Sequence, residues 1–339
     1  MNLRFSRRLC APWRKEIRSG RPVGRILQID KDTVCDWLDR AALHCRLVVL
    51  YLWSNLHVTE CQLHELWGFV HTKEAHLPYA KIYCETYGDA WVWLAFAPVW
   101  RLVLAFVVGK RNQESADLLL DRVKDVTDEH IPFFTSEQLP EYEDALLHAY
   151  GTWVQPERRG SRGRFPNPRR VPAADLLYAQ VVKVRDGGRV IEVKAKTVFG
   201  KPEAIAEQLA NSLVSESINT SFVERDNLTQ RQSNRRLTRR TNGFSKEIAW
   251  FEKQLWLFTA YYHLVLPHHS LRQMLETPEP TRGTGTPKKW KPVTPAMAAG
   301  TTDHVWTTPE LLSYRVPAQF VDQLSKSKPL FTLLEEVHH

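Results

Sequence analysis

The sequence predicts an α/β fold built around a mixed sheet. Three observations carry that prediction. Strand-like runs come first, at 60–70, 90–97 and 101–108. Helical and strand-like segments then alternate through 112–126, 131–136, 138–150 and 176–200. Two helical stretches, at about 220–240 and 245–266, close the series. Period-two runs followed by period-3.6 runs in this order give a sheet flanked by helices.

Composition bounds the function. The chain has 339 residues, 43% hydrophobic and 25% charged, enough for a sizeable core and one to three domains. Lys and Arg total 46 against 38 Asp and Glu, a formal net charge of +8. Such a surface favours an anionic partner, nucleic acid first and anionic membrane second. The five cysteines, Cys10, Cys35, Cys45, Cys61 and Cys84, contain no C-x-x-C pair. That argues against a disulfide framework or a cysteine zinc site and for a reducing cytoplasm. Residues 1–20 are basic and unpatterned, without the apolar stretch of a signal peptide.

Taken in order, "GRILQIDKDTVCDWLDRAALHC" (24–45) predicts a short helical piece to Gln28 and a turn at Ile29-Asp30. A helix with Val34, Trp37, Leu38 and Ala41 on one face follows, and a further helix at about 43–55. Residues 21–57 therefore suit the remnant of a DNA-binding helix-turn-helix, with Lys31, Asp32 and Thr33 opening the recognition helix. A plain helical hairpin suits the same residues. The run "ECQLHELWGFV" (60–70) is a buried strand with two titratable groups, His64 and Glu65, side by side. "AWVWLAFAPVWRLVLAFVVG" (90–109) has the length of a membrane span. Arg101 near its centre costs about 2.5–3.5 kcal/mol there, and Pro98 interrupts it. Two strands joined at Pro98-Val99-Trp100 fit better, with Asp89 capping a turn before them.

Further on, residues 155–172 form a basic loop, in which "RRGSRGRFPNPRR" (158–170) has six arginines and no acid. Residues 176–200 predict a hairpin turning at Asp186-Gly187-Gly188. The helix at 245–266 carries Ile248, Phe251, Leu255 and Phe258 on one face. Residues 273–339 are rich in Pro, Thr and Gly from Thr277 and read as an extended tail.

Three places offer chemistry: His64 and Glu65 on the first strand, Glu137 at the end of the fourth, and Glu224 on the helix at 220–240. Carboxylates converging from distant parts of a chain suit a two-metal phosphoryl-transfer centre, and oxygen ligands suit Mg²⁺. On the last of these helices Glu224, Leu228, Arg231 and Arg235 fall on one stripe at 100° per residue. Arg231, Arg235, Arg236, Arg239 and Arg240 follow without an acid between them. A helix holding metal at one end and phosphates along its length has this pattern, and so has a solvated basic helix.

Four stretches, "LHELWGFV", "YGDAWVWLAFAPVWRLVLAFVVGKR", "FFTSEQLPEY" and "VERDNLTQRQSNRRLTRRTNGFSK", resemble transposases of the insertion-sequence-one type. The resemblance runs from about Gly24 to Arg272. It implies a ribonuclease-H-like catalytic domain over 58–272, in which a DDE-type acidic triad cleaves and transfers DNA strands with Mg²⁺ or Mn²⁺. It also implies double-stranded DNA as partner, a homo-oligomer on that DNA, and a nucleoid-associated location in a prokaryotic cytoplasm. Glu224 matches the family's third carboxylate. Glu137 stands where the family has an aspartate, and His64 stands where it has the first aspartate. Metal would then rest on Glu137 and Glu224, and on Glu65 only if a bulge or register change turns it round. Lys31, Thr33, Arg158, Arg159, Arg231, Arg235, Arg236 and Arg239 are the expected DNA contacts.

The departures have physical consequences. A neutral imidazole has one free lone pair, whereas a carboxylate bridges two ions with two oxygens and a charge. Imidazole also suits zinc or copper better than magnesium. The expectation is a transposase impaired at two of its three acidic positions; the alternative is a non-catalytic DNA-binding protein, a decayed copy or a regulator. His71, His76, His268 and His269 read as solvated loop or helix-end residues, Asp226 as facing away from Glu224, and Cys61 as core.

Overall fold

The computed structural model describes residues 20–77, 87–158, 165–281, 283 and 285–326. Arg159, Cys10, Cys84, the N-terminal stretch up to residue 19 and the last residues from 327 lie outside the described residues.

In chain order the elements open with α1 (Gly20–Leu27), α2 (Lys31–Leu52), β1 (Glu60–Val70), β2 (Gly88–Ala97), β3 (Leu102–Gly109) and α3 (Gln113–Val126). Then come β4 (Phe133–Glu137), α4 (Pro140–Tyr150), β5 (Gly151–Val154), β6 (Arg169–Pro172), β7 (Tyr178–Asp186) and β8 (Arg189–Phe199). The series ends with α5 (Pro202–Ala210), α6 (Ser221–Ser233), α7 (Ile248–Leu264), β9 (Gln273–Glu279), β10 (Lys288–Lys291), α8 (Pro295–Ala298), α9 (Thr308–Ser313) and α10 (Ala318–Lys326). The chain divides into two compact units. One, the sheet unit, comprises Ser54–Trp67 and Ala90–Leu228. The other, the helical unit, comprises the described residues up to Trp53, Gly68–Asp89 and those from Thr229 onward.

The fold is α/β, with a mixed six-stranded sheet in the order β3-β2-β1-β4-β7-β8 and helices flanking it. β1 and β4 are parallel, from Glu60↔Phe133 to Leu63↔Ser136, and β4 and β7 are parallel, from Phe134↔Tyr178 to Glu137↔Val181. The outer pairs β2/β3 and β7/β8 are antiparallel hairpins. The central strands read as near-continuous apolar runs because helices cover the sheet. Cys61, Leu63, Val92 and Trp93 are fully buried. The Trp93 indole N–H donates to the Lys110 carbonyl at 3.0 Å, so the ring is buried without an orphaned donor.

The long apolar stretch is the expected hairpin. Arg101, which a membrane span would have to bury, sits in its turn with φ 56° and lays its guanidinium 4.1 Å from the Phe222 ring centroid. Among the described residues no helix is long and apolar enough to cross a membrane. Asn112 caps α3 by accepting from the Ser115 N–H at 3.1 Å, and Gly187-Gly188 turns β7 into β8 with φ 53° and 80°.

In the helical unit α2 is one continuous helix where two were expected. No Gly or Pro interrupts residues 31–52, so nothing ends the helix at position 42. Asp30 caps it, accepting from the Asp32 N–H at 2.7 Å, and Val34, Ala41, Ala42, Cys45, Val48 and Val49 form its buried face. α7 buries Phe251, Leu255 and Phe258 and reaches α2 through the Lys253–Asp39 pair at 2.7 Å. The described residues before α2 hold one short helix, α1, joined by a turn at Gln28 with φ 54°.

Two further expectations fail. The helix expected over 220–240 ends at Ser233, because Asn234 leaves the helical region (φ −119°, ψ 105°) and its side chain accepts from the Arg236 N–H, opening a separate 3₁₀ turn at Arg235–Leu237. The segment from Thr277 is not an extended tail: β9 pairs with β10, and three helices follow with Trp306, Leu311 and Leu312 buried. Its Thr and Pro residues are helix-start chemistry. Thr294 and Thr307 are N-caps, Pro stands in the first turn of α8 and of α9, and Thr307 with Glu310 forms a capping box.

Candidate active site

β1, β4, β7 and the start of α6 bring four side chains to one spot. The β1/β4 register pairs Leu63 with Ser136, and the next step along both strands sets His64 beside Glu137. Glu137 pairs with Val181, so Lys183 is the next β7 residue on the same face. The start of α6 is fixed by side chains of the two central strands. Gln62 Nε2 donates to the Asn219 carbonyl at 2.9 Å, and Gln62 Oε1 accepts from the Val223 N–H at 2.9 Å. The Thr135 hydroxyl donates to the same Asn219 carbonyl at 3.2 Å. Both Gln62 and Thr135 are buried, which makes the attachment rigid and delivers Glu224 over the sheet.

Ligand-type atoms of His64, Glu137 and Glu224 lie within 4.8 Å of one another. Lys183 Nζ is 2.7 Å from Glu137 Oε1 and 2.7 Å from Glu224 Oε1, so one ammonium serves both carboxylates. The Thr220 hydroxyl adds a donor to Glu224 Oε1 at 2.8 Å. His64 Nε2 stands 3.7 Å from Glu137 Oε1, an ion-pair rather than a hydrogen-bond distance. On the other side of the ring, Asn227 Nδ2 donates to His64 Nδ1 at 2.9 Å. That contact occupies Nδ1 and leaves Nε2 as the ring atom that faces Glu137.

Electrostatics follow from this crowding of opposite charge. The His64 ring, and with it the Lys183 ammonium, outweighs partial burial and holds the Glu137 carboxyl down at about 2. Burial pushes Lys183 down, but its hydrogen bonds to Glu137 and Glu224 overcome that and raise it above the ordinary lysine value. Glu137 is therefore ionised and Lys183 charged across the physiological range.

Of the sequence candidates, His64, Glu137 and Glu224 meet. Glu65 does not join them. No register shift interrupts the β1/β4 pairing, so strand alternation carries it to the opposite face. There it accepts from Arg111 Nη2 at 2.8 Å and from the Tyr142 hydroxyl at 3.1 Å. Its metal-ligand role is withdrawn on that geometry. Asp226 is buried and is not in the cluster, Asp89 caps the Glu74 N–H at 3.1 Å, and Cys61 is core, as expected of a small residue in the first strand.

The arginines divide by burial. Arg231 and Arg236 are partly buried and held by local bonds, Arg231 to the Leu237 carbonyl and Arg236 to the Ser245 hydroxyl at 2.9 Å; burial lowers the pKa of both. Arg235 and Arg239 are exposed, and Arg235 and Arg240 with Thr241, Asn242 and Gly243 line a shallow recess. Lys31 is exposed and paired with Asp32, Thr33 is exposed, and Arg158 is exposed in the sheet unit.

Lys183 is the site residue that the sequence did not flag. It lies in a strand of a hairpin with several basic neighbours, and only the register to Glu137 singles it out. Thr220 and Asn227 were missed for a similar reason, since a hydroxyl and an amide near an acidic position carry no signal alone. Comparison with family models, curated proteins and solved structures found no match to this chain.

The donor set does not fit a paired magnesium centre. It offers two carboxylates that already share one lysine, and an imidazole that has at most one free lone pair and whose Nδ1 is hydrogen-bonded to Asn227. At most one ion suits such a set, and only after Lys183 moves aside.

Proposed function

We propose that the chain is a DNA-binding protein of the insertion-sequence-one transposase kind whose strand-transfer centre is disabled. The convergence of His64, Glu137 and Glu224 from β1, β4 and α6 carries this reading. It recurs where the sequence resemblance puts the family's acidic triad. The strand order β3-β2-β1-β4-β7, with β1, β4 and β7 parallel, supports a ribonuclease-H-like fold.

What disables the centre is the charge count. A triad of carboxylates carries three negative charges; here a histidine takes one position, and Lys183 neutralises part of the rest. Glu137 retains its charge on a stem one methylene longer than aspartate. A reacting group misplaced by about 1 Å costs on the order of 10²-fold in rate. DNA affinity does not depend on that centre. In the helical unit the exposed Arg235 and Arg239, with Lys31 and Thr33, offer cationic and polar groups for phosphates, and in the sheet unit the exposed Arg158 does the same; the partner under this reading is double-stranded DNA, bound by a homo-oligomer in a prokaryotic cytoplasm.

The test is nicking and strand transfer of supercoiled plasmid in Mg²⁺ and in Mn²⁺, run beside a gel-shift titration at two salt concentrations. The protein binds DNA with an affinity that falls steeply with salt, and it leaves the plasmid uncut. The His64→Asp, Glu137→Asp double variant regains cutting. Efficient strand transfer by the unaltered protein would overturn the disabled centre, and failure to bind DNA at low salt would overturn the whole reading.

A further inference from the structure

The β5/β6 ribbon is an unusual piece of surface. It is two strands of four residues each, with Trp153 opposite Arg170 and Val154 opposite Arg169. It is firmly seated. Arg170 Nη1 donates to the His148 carbonyl at 2.6 Å, at the end of α4, and the Ala173 N–H donates to the Tyr150 carbonyl at 3.3 Å. Beyond β5, Gln155 Nε2 donates to the Pro166 carbonyl at 2.6 Å and ties the two arms together. Yet this rigid ribbon holds large apolar side chains in water: Trp153 is 65% exposed, Phe165 59% and Val154 41%. A rigid element that leaves its aromatics outside leaves burial free energy unused, which is the mark of a binding surface rather than of a core.

The neighbours of these rings give the ligand's chemistry. The Arg170 guanidinium is 5.2 Å from the Trp153 ring centroid, and the Arg158 guanidinium is 4.1 Å from that of Phe165. Arg169 is exposed beside Val154. Against these three cations, Glu157 is the only acid among the described residues of the ribbon. Alternating flat aromatics and guanidiniums match a strand whose units alternate flat bases and phosphates. In a duplex the base faces are stacked on each other and closed to side chains, so the match is to unpaired nucleotides.

We propose that the β5/β6 ribbon is a stacking platform for unpaired nucleotides in DNA. Trp153 and Phe165 take base faces, and Arg158, Arg169 and Arg170 take the adjoining phosphates. The proposal rests on the DNA-binding reading above and adds to it a preference for DNA in which bases are splayed out. It requires no metal and no chemistry at the His64 cluster.

The experiment is fluorescence anisotropy with the full chain at one fixed salt concentration. Two labelled probes are used, a short fully paired duplex and the same duplex interrupted by a run of unpaired thymines. Base–aromatic stacking contributes about 1–3 kcal/mol per base, so the interrupted probe binds roughly 5- to 150-fold tighter. The Trp153→Ala, Phe165→Ala double variant loses that preference while its affinity for the paired duplex stays within about two-fold. Trp153→Phe, which keeps a π-face, retains most of it. Equal binding of the two probes by the unaltered protein overturns the platform and leaves the DNA-binding reading standing. So does a preference that survives in the double alanine variant. Binding of neither probe overturns both. Circular dichroism of each variant separates a lost contact from a lost fold.

Discussion

The two faces of β1 make a controlled comparison, because His64 and Glu65 are adjacent in sequence and point opposite ways. Glu65 is the closed case. Its side chain is 10% exposed, and it takes one hydrogen bond from Arg111 and one from Tyr142, whose ring is wholly buried. Burial first, then the Glu65 charge, raises Tyr142 well above the ordinary phenol value, so the hydroxyl remains a donor. His64 opens onto the other kind of surface. Glu137 and Glu224 there are 37% and 41% exposed and share a single lysine. One face spends its charge on holding the strand in place. The other holds more charge than folding requires, which is how functional clusters differ from structural pairs.

The largest expected effect tests that division directly. Glu65→Ala strips a buried phenol of its acceptor and leaves Arg111 to rehydrate. The expected loss is about 2–3 kcal/mol in unfolding free energy, the sum of an orphaned buried hydroxyl and a broken, partly buried ion pair. Glu137→Ala, on the exposed face, costs about 1 kcal/mol or less, since water replaces what it loses. Urea unfolding of the two variants beside the parent reads both numbers. A larger loss at Glu137 than at Glu65 would reverse the roles assigned to the two faces.

The same contrast explains what was legible in the sequence. β1 was read at its observed bounds, Glu60–Val70, and alternation alone separated His64 from Glu65. The β2/β3 hairpin and the Gly187-Gly188 turn were legible because each is written in a local residue code. The end of α6 was not, since the Ser233-Asn234 break works through a side-chain bond to Arg236 that no helix periodicity foretells. α2 was expected as two helices, although no Gly or Pro between residues 31 and 52 marks a break. The C-terminal helices were hidden because Thr and Pro signal both loops and helix starts. Lys183 was hidden because its meaning lies in a register across two strands. The site was thus half visible: its acids could be read from sequence, and its cation required the fold.

Acid titration gives a second, smaller effect. Glu137 titrates at about 2 in the fold against an ordinary value of 4.5, so the unfolded chain binds its proton more readily. A depressed folded value contributes stability that is fully present above about pH 4.5 and is lost as pH falls towards 2. With the side chain more than a third exposed, solvent screening reduces the contribution to the order of 1 kcal/mol. The quantity to measure is the difference in unfolding free energy between the parent and Glu137→Gln at near-neutral pH and again in acid. That difference should shrink as pH falls through this window. A difference that stays constant would mean that His64 and Lys183 leave Glu137 unstabilised, and the two faces of β1 would then be more alike than their geometry says.

The smallest effect on stability, and the sharpest on the site, belongs to Lys183→Met. The ammonium is lost from between two carboxylates, but both retain access to water, so the expected change is about 1 kcal/mol or less. What changes is the vacancy of charge. Glu137 Oε1 and Glu224 Oε1, each 2.7 Å from Nζ in the parent, become available to another cation, with His64 beside them. Mixed carboxylate and imidazole donors suit Mn²⁺ better than Mg²⁺. Added Mn²⁺ should therefore stabilise the variant against heat and leave the parent nearly unmoved. At ten times the dissociation constant the gain is about 1.4 kcal/mol, large enough to read in a melting curve. If the parent gains as much, Lys183 yields readily to a divalent ion, and the centre is open to metal in a way its resting geometry conceals. That outcome would leave His64 as the one residue of the cluster that sets which ion the two carboxylates accept.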